Sequence, residues 1–402
     1  MIDGNIHLSS DLRRLAFVRL FVWLTSHRTR MSREVLVSNY RNKIQNQPSD
    51  GRWNVHPSGV RPGKGMGSSE RSKEQDVIAF NHLTLAQNLQ FIRKGETLWD
   101  KNGYILANLS TSNNGRPLFY DGVWLNEALQ KEGFIATLGK GEQFVFSSSL
   151  LELDVDRILP LLSIIKDEPT ANIANQFLAS VDKWLEKKAH IEMNSYKRGG
   201  IEAERRSIKQ KISRLDMENR QPESVLKASK SSHTRLPSVK LYCQEQTYPR
   251  LHFLWDLDYI DKNKRGFCLT EKGSRLKGAL VDPLYEDRDA KKADALAIKD
   301  EISLLRSIVD LSIEGLPRID FDRFKSLFSS TASFYTSSGV ILLSYFNVFR
   351  AVTSRAIEAS TALSLELFDN YMSRLAEHKE VTVSTTGRGT KYIKVYGSLK
   401  PT

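Results

Sequence analysis

Only two cysteines, Cys243 and Cys268, occur in 402 residues, and neither sits in a CxxC pair or beside a histidine cluster. That excludes a zinc module built on paired cysteines and a secreted disulfide scaffold, and it is read as a reducing cytoplasm. The common catalytic phrases are missing too: there is no Walker P-loop, no GxSxG elbow and no HExxH. Gly63-Lys64-Gly65-Met66-Gly67-Ser68-Ser69 resembles a phosphate loop only on its surface, because the closing Gly-Lys-Ser/Thr phrase and a preceding strand are lacking. The carboxylate pairs Asp154/Asp156 and Asp320/Asp322 stand near helix starts, where carboxylates favour the dipole. No strand lysine accompanies them, as nuclease chemistry would need. No catalytic residue, metal or cofactor is expected.

Long apolar runs are also short in supply. Leu15 to Leu24 carries Arg19, and Ser338 to Val352 is interrupted by Arg350. Both fall below the roughly 20 residues needed to span a bilayer, so they read as buried helices. No small-residue cleavage site comes after the first run, and neither a signal peptide nor a membrane segment is expected.

Positive charge is what the chain has in excess. Lysine and arginine number 59 against 47 acidic residues, a formal net charge of +12. Such a balance points to a polyanionic partner: DNA, RNA or an anionic membrane face. Hydrophobic residues make up 40%, enough for real cores, and the length suits about two to four domains.

Residues 1–46 read as a helix-turn-helix-like unit. Ser9, Ser10 and Asp11 cap a helix on which Leu12, Leu15, Phe17, Leu20, Phe21 and Leu24 recur, and Ser32 opens a second helix. Residues 47–75, rich in glycine and proline, form a flexible basic linker. Residues 76–195 mix a strand at Tyr104 to Leu106, a turn at Asn113-Asn114-Gly115 and a helix from Val123 to Lys131. A hairpin then joins residues 134–138 to Gln143-Phe144-Val145-Phe146 through Gly139-Lys140-Gly141. Leu150 to Met193 is helical, broken at Pro169, with Thr170 capping the helical part beyond the break. Residues 196–236 are a basic, solvated, partly helical connector. Residues 237–282 place one helix around Leu241, a second opened by Pro249, a hairpin tipped by Lys262 to Gly266, and a helix capped by Thr270-Glu271-Lys272-Gly273. Residues 283–402 are helical and end in a helix, Ser364 to His378, with a hairpin after it. On that helix Leu367, Tyr371 and Leu375 are expected to face the core. The fold class is mainly α with short β-hairpins.

Two phrases carry a family resemblance. Arg250-Leu251-His252-Phe253-Leu254-Trp255-Asp256-Leu257-Asp258-Tyr259-Ile260, followed by Phe267-Cys268-Leu269-Thr270-Glu271-Lys272-Gly273, resembles the winged-helix superfamily. Asp258 stands where glycine is common there. Leu375 to Val381, followed by Gly387-Arg388-Gly389-Thr390-Lys391-Tyr392-Ile393, is similar in grammar. Weaker copies lie near residues 10–45 and 83–147. The resemblance implies multiple winged-helix domains joined by helical and basic connectors: the 76–195 and 237–282 domains, and the end of the 283–402 region.

In such modules a helix fits the major groove and the hairpin tip touches the flanking backbone. A glycine-rich tip brings cations and main-chain N–H groups together against phosphate. The candidate DNA contacts are accordingly Arg388, Lys391 and Lys394 on the last hairpin and Arg374 on the helix before it. Lys262, Lys264 and Arg265 on the earlier hairpin join them, with Arg61 and Lys64 in the linker. Trp53, also in the linker, is a stacking candidate. Trp23, Trp124, Trp184 and Trp255 lie in apolar helical phrases and read as core.

The chain therefore reads as a non-enzymatic DNA-binding subunit or adaptor with double-stranded DNA and protein partners. By analogy it would serve a bacterial anti-phage defence complex or act as a regulator. A plasmid-type replication initiator, a protein-interaction scaffold without DNA binding and a metal-dependent nuclease stay open as alternatives. The linker reading carries its own test: limited trypsin digestion is expected to cut near Arg61, Lys64 or Arg71 first. Resistance at those three sites would contradict it.

Overall fold

The computed structural model of the chain describes residues 15–26, 32–44, 79–89, 91–99, 105–111, 138–220, 239–281, 301–337, 342–387 and 390–396. These are mainly helical, with a few short antiparallel strand pairs. No helix among them is long and apolar enough to cross a membrane. The chain divides into two units. One comprises Arg14–Leu150 with Leu305–Thr402; the other comprises Leu151–Leu304 with Met1–Arg13.

The first stretch holds helices α1 (Leu15–Ser26), α2 (Arg33–Ile44) and α3 (79–88), an antiparallel pair β1 (Ile92–Trp99) and β2 (Ile105–Thr111), and helix α4 (Lys140–Leu153). Ser32 caps α2, its hydroxyl accepting the Val35 N–H at 3.2 Å. Apart from Arg19, the described side chains of α1 are apolar and buried, the mark of a helix enclosed by protein. Arg19 is only 1% exposed, and its guanidinium meets the Glu142 carboxylate at 2.8 Å. The same carboxylate oxygen accepts the Gly139 N–H at 2.8 Å, so Glu142 caps the helix it stands in.

That cap overturns one expectation. Gly139-Lys140-Gly141 begins a helix and Gln143 to Phe146 lie within it, instead of forming a hairpin. A Cβ on Gly141 would fall 2.3 Å from the Ser354 carbonyl oxygen, and the Gly141 N–H donates to Glu358 at 2.9 Å. The glycine serves a close helix approach, not a turn. The expected first strand at 134–137, the turn at Asn113 to Gly115 and the helix at Val123 to Lys131 lie outside the described residues.

The Leu151–Leu304 unit holds α5 (Val155–Ile164), α6 (Ile173–Ile191), α7 (Ser195–Arg220), α8 (Val239–Asp256), the hairpin β3 (Ile260–Asn263) and β4 (Gly266–Leu269), and α9 (Glu271–Leu280). Asp154 precedes α5 but does not cap it. Its two oxygens instead take Arg250 Nε at 2.6 Å and Arg250 Nη2 at 2.9 Å, with both side chains fully buried. Arg250 Nη1 donates to the Gln246 carbonyl at 2.6 Å. Asp156 accepts the Trp184 indole N–H at 2.8 Å and pairs with Lys188. The carboxylate pair Asp154/Asp156 is thus committed to packing.

Pro249 lies inside one continuous helix, α8, and does not open a new one. Helix α7 is likewise more than a solvated connector. It packs on α6 through buried Ile208 and Leu215, and Arg205 joins Asp182 at 3.1 Å and Glu186 at 2.6 Å. The expected cap at Thr170 is not one: Asn172, with φ 57°, precedes α6, and Thr170 pairs with the hairpin.

The Thr-x-x-Gly phrase has a local cause. Thr270 caps α9 by accepting the Gly273 N–H at 3.0 Å. A Cβ on Gly273 would lie 1.7 Å from the Tyr259 carbonyl oxygen, so only glycine lets α9 sit against the corner before β3.

The last stretch contains α10 (Glu301–Ile313), α11 (Phe321–Ser337), β5 (Leu342–Ser344), α12 (Tyr345–Glu358), α13 (Leu365–Glu377), β6 (Val381–Thr385) and β7 (Lys391–Val395). The three strands are antiparallel in the order β5-β7-β6. Phe368 centres the core, with Phe324, Tyr345 and Phe349 rings 5.1–5.8 Å away. Ser364 caps α13 at the Leu367 N–H, 3.2 Å away. The buried stripe of α13 is Leu365, Phe368, Met372 and Leu375, while Leu367 and Tyr371 are only half-buried. An i, i+4, i+8 series drifts about 80° around a helix, which carries Leu367 off the seam that Leu375 shares with Phe368.

The buried ion pair gives a stability test. Removing one member strands a charge without water, at a cost of about 3–5 kcal/mol. Asp154→Asn is therefore expected to lower the urea midpoint sharply. Asp154→Leu combined with Arg250→Met should lose much less. A single variant within about 1 kcal/mol of wild type would contradict this role for the pair.

Candidate nucleic-acid interface

Each unit carries a hairpin directly after a helix, β3–β4 after α8 and β6–β7 after α13, and these two are built by the same local rules. Helix α8 ends and Asp258 turns into the left-handed region, φ 59°; helix α13 ends and Lys379 does the same, φ 57°. The Tyr259 N–H then reaches back to the Leu254 carbonyl at 2.9 Å, and the Glu380 N–H to the Leu375 carbonyl at 3.0 Å. This six-to-one bond satisfies helix-end carbonyls and aims the chain into the first strand. Each hairpin closes on that corner: the Thr270 N–H donates to Tyr259 at 3.1 Å, and the Tyr396 N–H donates to Glu380 at 3.0 Å.

Each hairpin also gains a third edge from earlier in the chain. Thr170 exchanges backbone hydrogen bonds with Phe267 of β4, at 2.8 and 3.4 Å. In the other unit β5 pairs with β7. In both cases the added edge meets the second hairpin strand.

The first tip is the two residues Lys264 and Arg265. Asn263 holds it, its side-chain oxygen accepting the N–H groups of Arg265 and Gly266 at 2.8 and 3.1 Å. Gly266, with φ 145°, is not free: a Cβ there would strike the Thr170 carbonyl at 2.4 Å. Lys264 and Arg265 are exposed at the tip. Lys262 is drawn onto aromatic faces, its ammonium 5.6 Å from the Phe267 ring centre and 5.8 Å from that of Trp255.

On the second hairpin, strand alternation separates two lysines that read alike in sequence. Lys391 shares a face with buried Ile393 and lies 5.1 Å from the Tyr345 ring centre. It lines a cleft of about 500 Å³ with Tyr345, Asp369, Ser373 and Val383 among its walls. Tyr345 donates to Asp369; burial first, and then that carboxylate, push its phenol well above the usual tyrosine range. Lys394 stands on the opposite, outer face between Leu342 and Thr382, 5.3 Å from the Tyr396 ring. The Arg374 guanidinium carbon lies over Phe321, 3.8 Å from its ring centre. Arg388, Arg61, Lys64 and Trp53 lie outside the described residues.

The helices before the hairpins differ from what groove reading asks for. The accessible side of α13 offers Glu366, Asp369, Asn370, Ser373, Arg374 and Glu377, three carboxylates to one guanidinium. On α8 the only exposed side chain among those described is Tyr248. The acids of α13 recur at helical spacing and were readable in sequence; the burial of α8 was not.

No family model, no curated protein and no solved structure matches this chain.

Proposed function

We propose that this chain is a non-enzymatic DNA-binding protein with a winged-helix module in each unit, the hairpins being its wings. What carries the reading is a recurrence: helix, short edge, helices and hairpin, with the edge on the second hairpin strand in both units. Of that order, the helix followed by a hairpin is what the winged-helix resemblance implies. Exposed Lys264 and Arg265 at one wing and Lys394 on the outer face of the other suit phosphate, as does the net charge of +12. Because α13 is acidic on its accessible side and α8 is largely covered, contact runs through wings and backbone phosphates more than through base edges.

A second reading is favoured by one observation. The carboxylates along α13 suit a basic protein surface, so the C-terminal module docks a protein partner in a scaffold role.

Duplex DNA titrated by mobility shift across salt concentrations tests the first reading. Wild type should bind at low salt, with a log–log slope of about −0.9 per phosphate neutralised. Lys264→Ala, Arg265→Ala and Lys394→Ala together should leave folding intact and flatten the slope by up to about 0.9 for each phosphate released. Absence of binding at low salt, or an unchanged slope in the folded triple variant, would overturn the wing contacts.

A further inference from the structure

Among the described residues, helix α7 is the one element between edge strand and hairpin that the two modules do not share. In one module α6, α7 and α8 separate Thr170 from β3; in the other only α12 and α13 separate β5 from β6. The extra helix packs on α6 and against α8, where the Lys211 ammonium sits 3.7 Å from the Tyr242 ring centre. It thus helps cover the helix that a bare winged module would expose.

Its charges are sorted. Glu204 turns inward to Arg157, and Arg205 to Asp182 and Glu186. Arg206, Lys209, Arg214 and Arg220 are exposed and make no ion pair among the described residues. At about 100° per residue, Arg206, Lys209 and Arg220 fall within about 60° of arc, with Arg214 about 80° to the other side of Arg206. They cover about 21 Å of helix length. Among the described side chains, Glu202 and Asp216 share this outer side, so four cations face two acids there. Those two acids are too few to neutralise the stripe, and exposed cations that pair with no described residue are suited to phosphate rather than to internal packing.

We propose that α7 is a phosphate-contacting helix, on which Arg206, Lys209, Arg214 and Arg220 grip the backbone of duplex DNA. This rests on the DNA-binding reading above and assigns the contact to a surface outside both wings. It supplies a groove-independent grip, so affinity through α7 is indifferent to base sequence.

The test compares three full-length proteins on one mixed-sequence duplex over a salt series. They are wild type, Arg206→Gln/Lys209→Gln/Arg214→Gln/Arg220→Gln, and a charge-matched control, Lys140→Gln/Lys166→Gln/Lys183→Gln/Arg318→Gln, drawn from exposed cations elsewhere. Circular dichroism and melting confirm that each is folded. The α7 variant is expected to bind about tenfold or more weakly at low salt and to have a slope shallower by about 0.9 per phosphate released, with the control close to wild type. Equal weakening in the two variants would reduce the effect to net charge and overturn the proposal. So would an α7 variant that binds like wild type, which leaves wing binding standing. If wild type itself fails to bind at low salt, the DNA reading falls and this proposal with it.

Discussion

Asp154 and Arg250 are withdrawn completely from water, and a charge pair in that position persists only when its oxygens and nitrogens find partners. Here they do. Both carboxylate oxygens and all three guanidinium nitrogens are engaged, the last by the Gln246 carbonyl. The consequence is geometric. The break between α4 and α5 is fastened to the middle of α8, one residue beyond Pro249. With α8 held, the corner at Asp258 has a fixed direction, and that direction sets the hairpin. Thr170 then meets β4, and α9 closes over Tyr259 through Gly273. The pair contributes position more than net stability, because an apolar replacement of both members would pack as well.

The second module reaches the same corner with none of those residues. Its core is aromatic, gathered on Phe368, and its corner residue is a lysine. A non-glycine residue in the left-handed region costs of order 1 kcal/mol, and two of them at matching positions mean that the corner is imposed by the bonds around it. Those bonds are main-chain to main-chain, which is why the likeness between modules is one of backbone and leaves little trace in side chains.

The two hairpins and their capped helices were legible in sequence. Alternation, Thr270 as a cap and Gly273 at its fixed offset are local signals, and local signals survive in a single chain. The false hairpin at Gly139 to Phe146 shows where that stops. Gln143-Phe144-Val145-Phe146 fits a strand's alternation and a buried helix equally well. What decides is Glu142 meeting Arg19 and Gly141 meeting Ser354, contacts between residues distant in sequence. Pro249 misled for a related reason: a proline usually opens a helix, but here tertiary packing holds one helix through it. Among the candidate contacts, Lys391 and Lys394 looked equivalent until the strand placed them on opposite faces. The charge sorting of α7 needed the positions of Asp182, Glu186 and Arg157, which lie on other helices.

Among the described residues, exposed cations include those at the Lys264-Arg265 tip, on the outer face of β7 and along α7, while α13 carries three carboxylates on its accessible side. Coulombic attraction to a polyanion is long-ranged and salt-sensitive, so under the proposed DNA-binding reading this distribution favours backbone contact by the hairpins over base reading by helices. Amide hydrogen exchange of the full chain with and without a duplex DNA tests that claim most directly. Binding through the wings predicts slowed exchange in Ile260–Leu269 and in Val381–Val395, with α13 unchanged. DNA-dependent protection confined to α13, or none in either hairpin while DNA is bound, would contradict it.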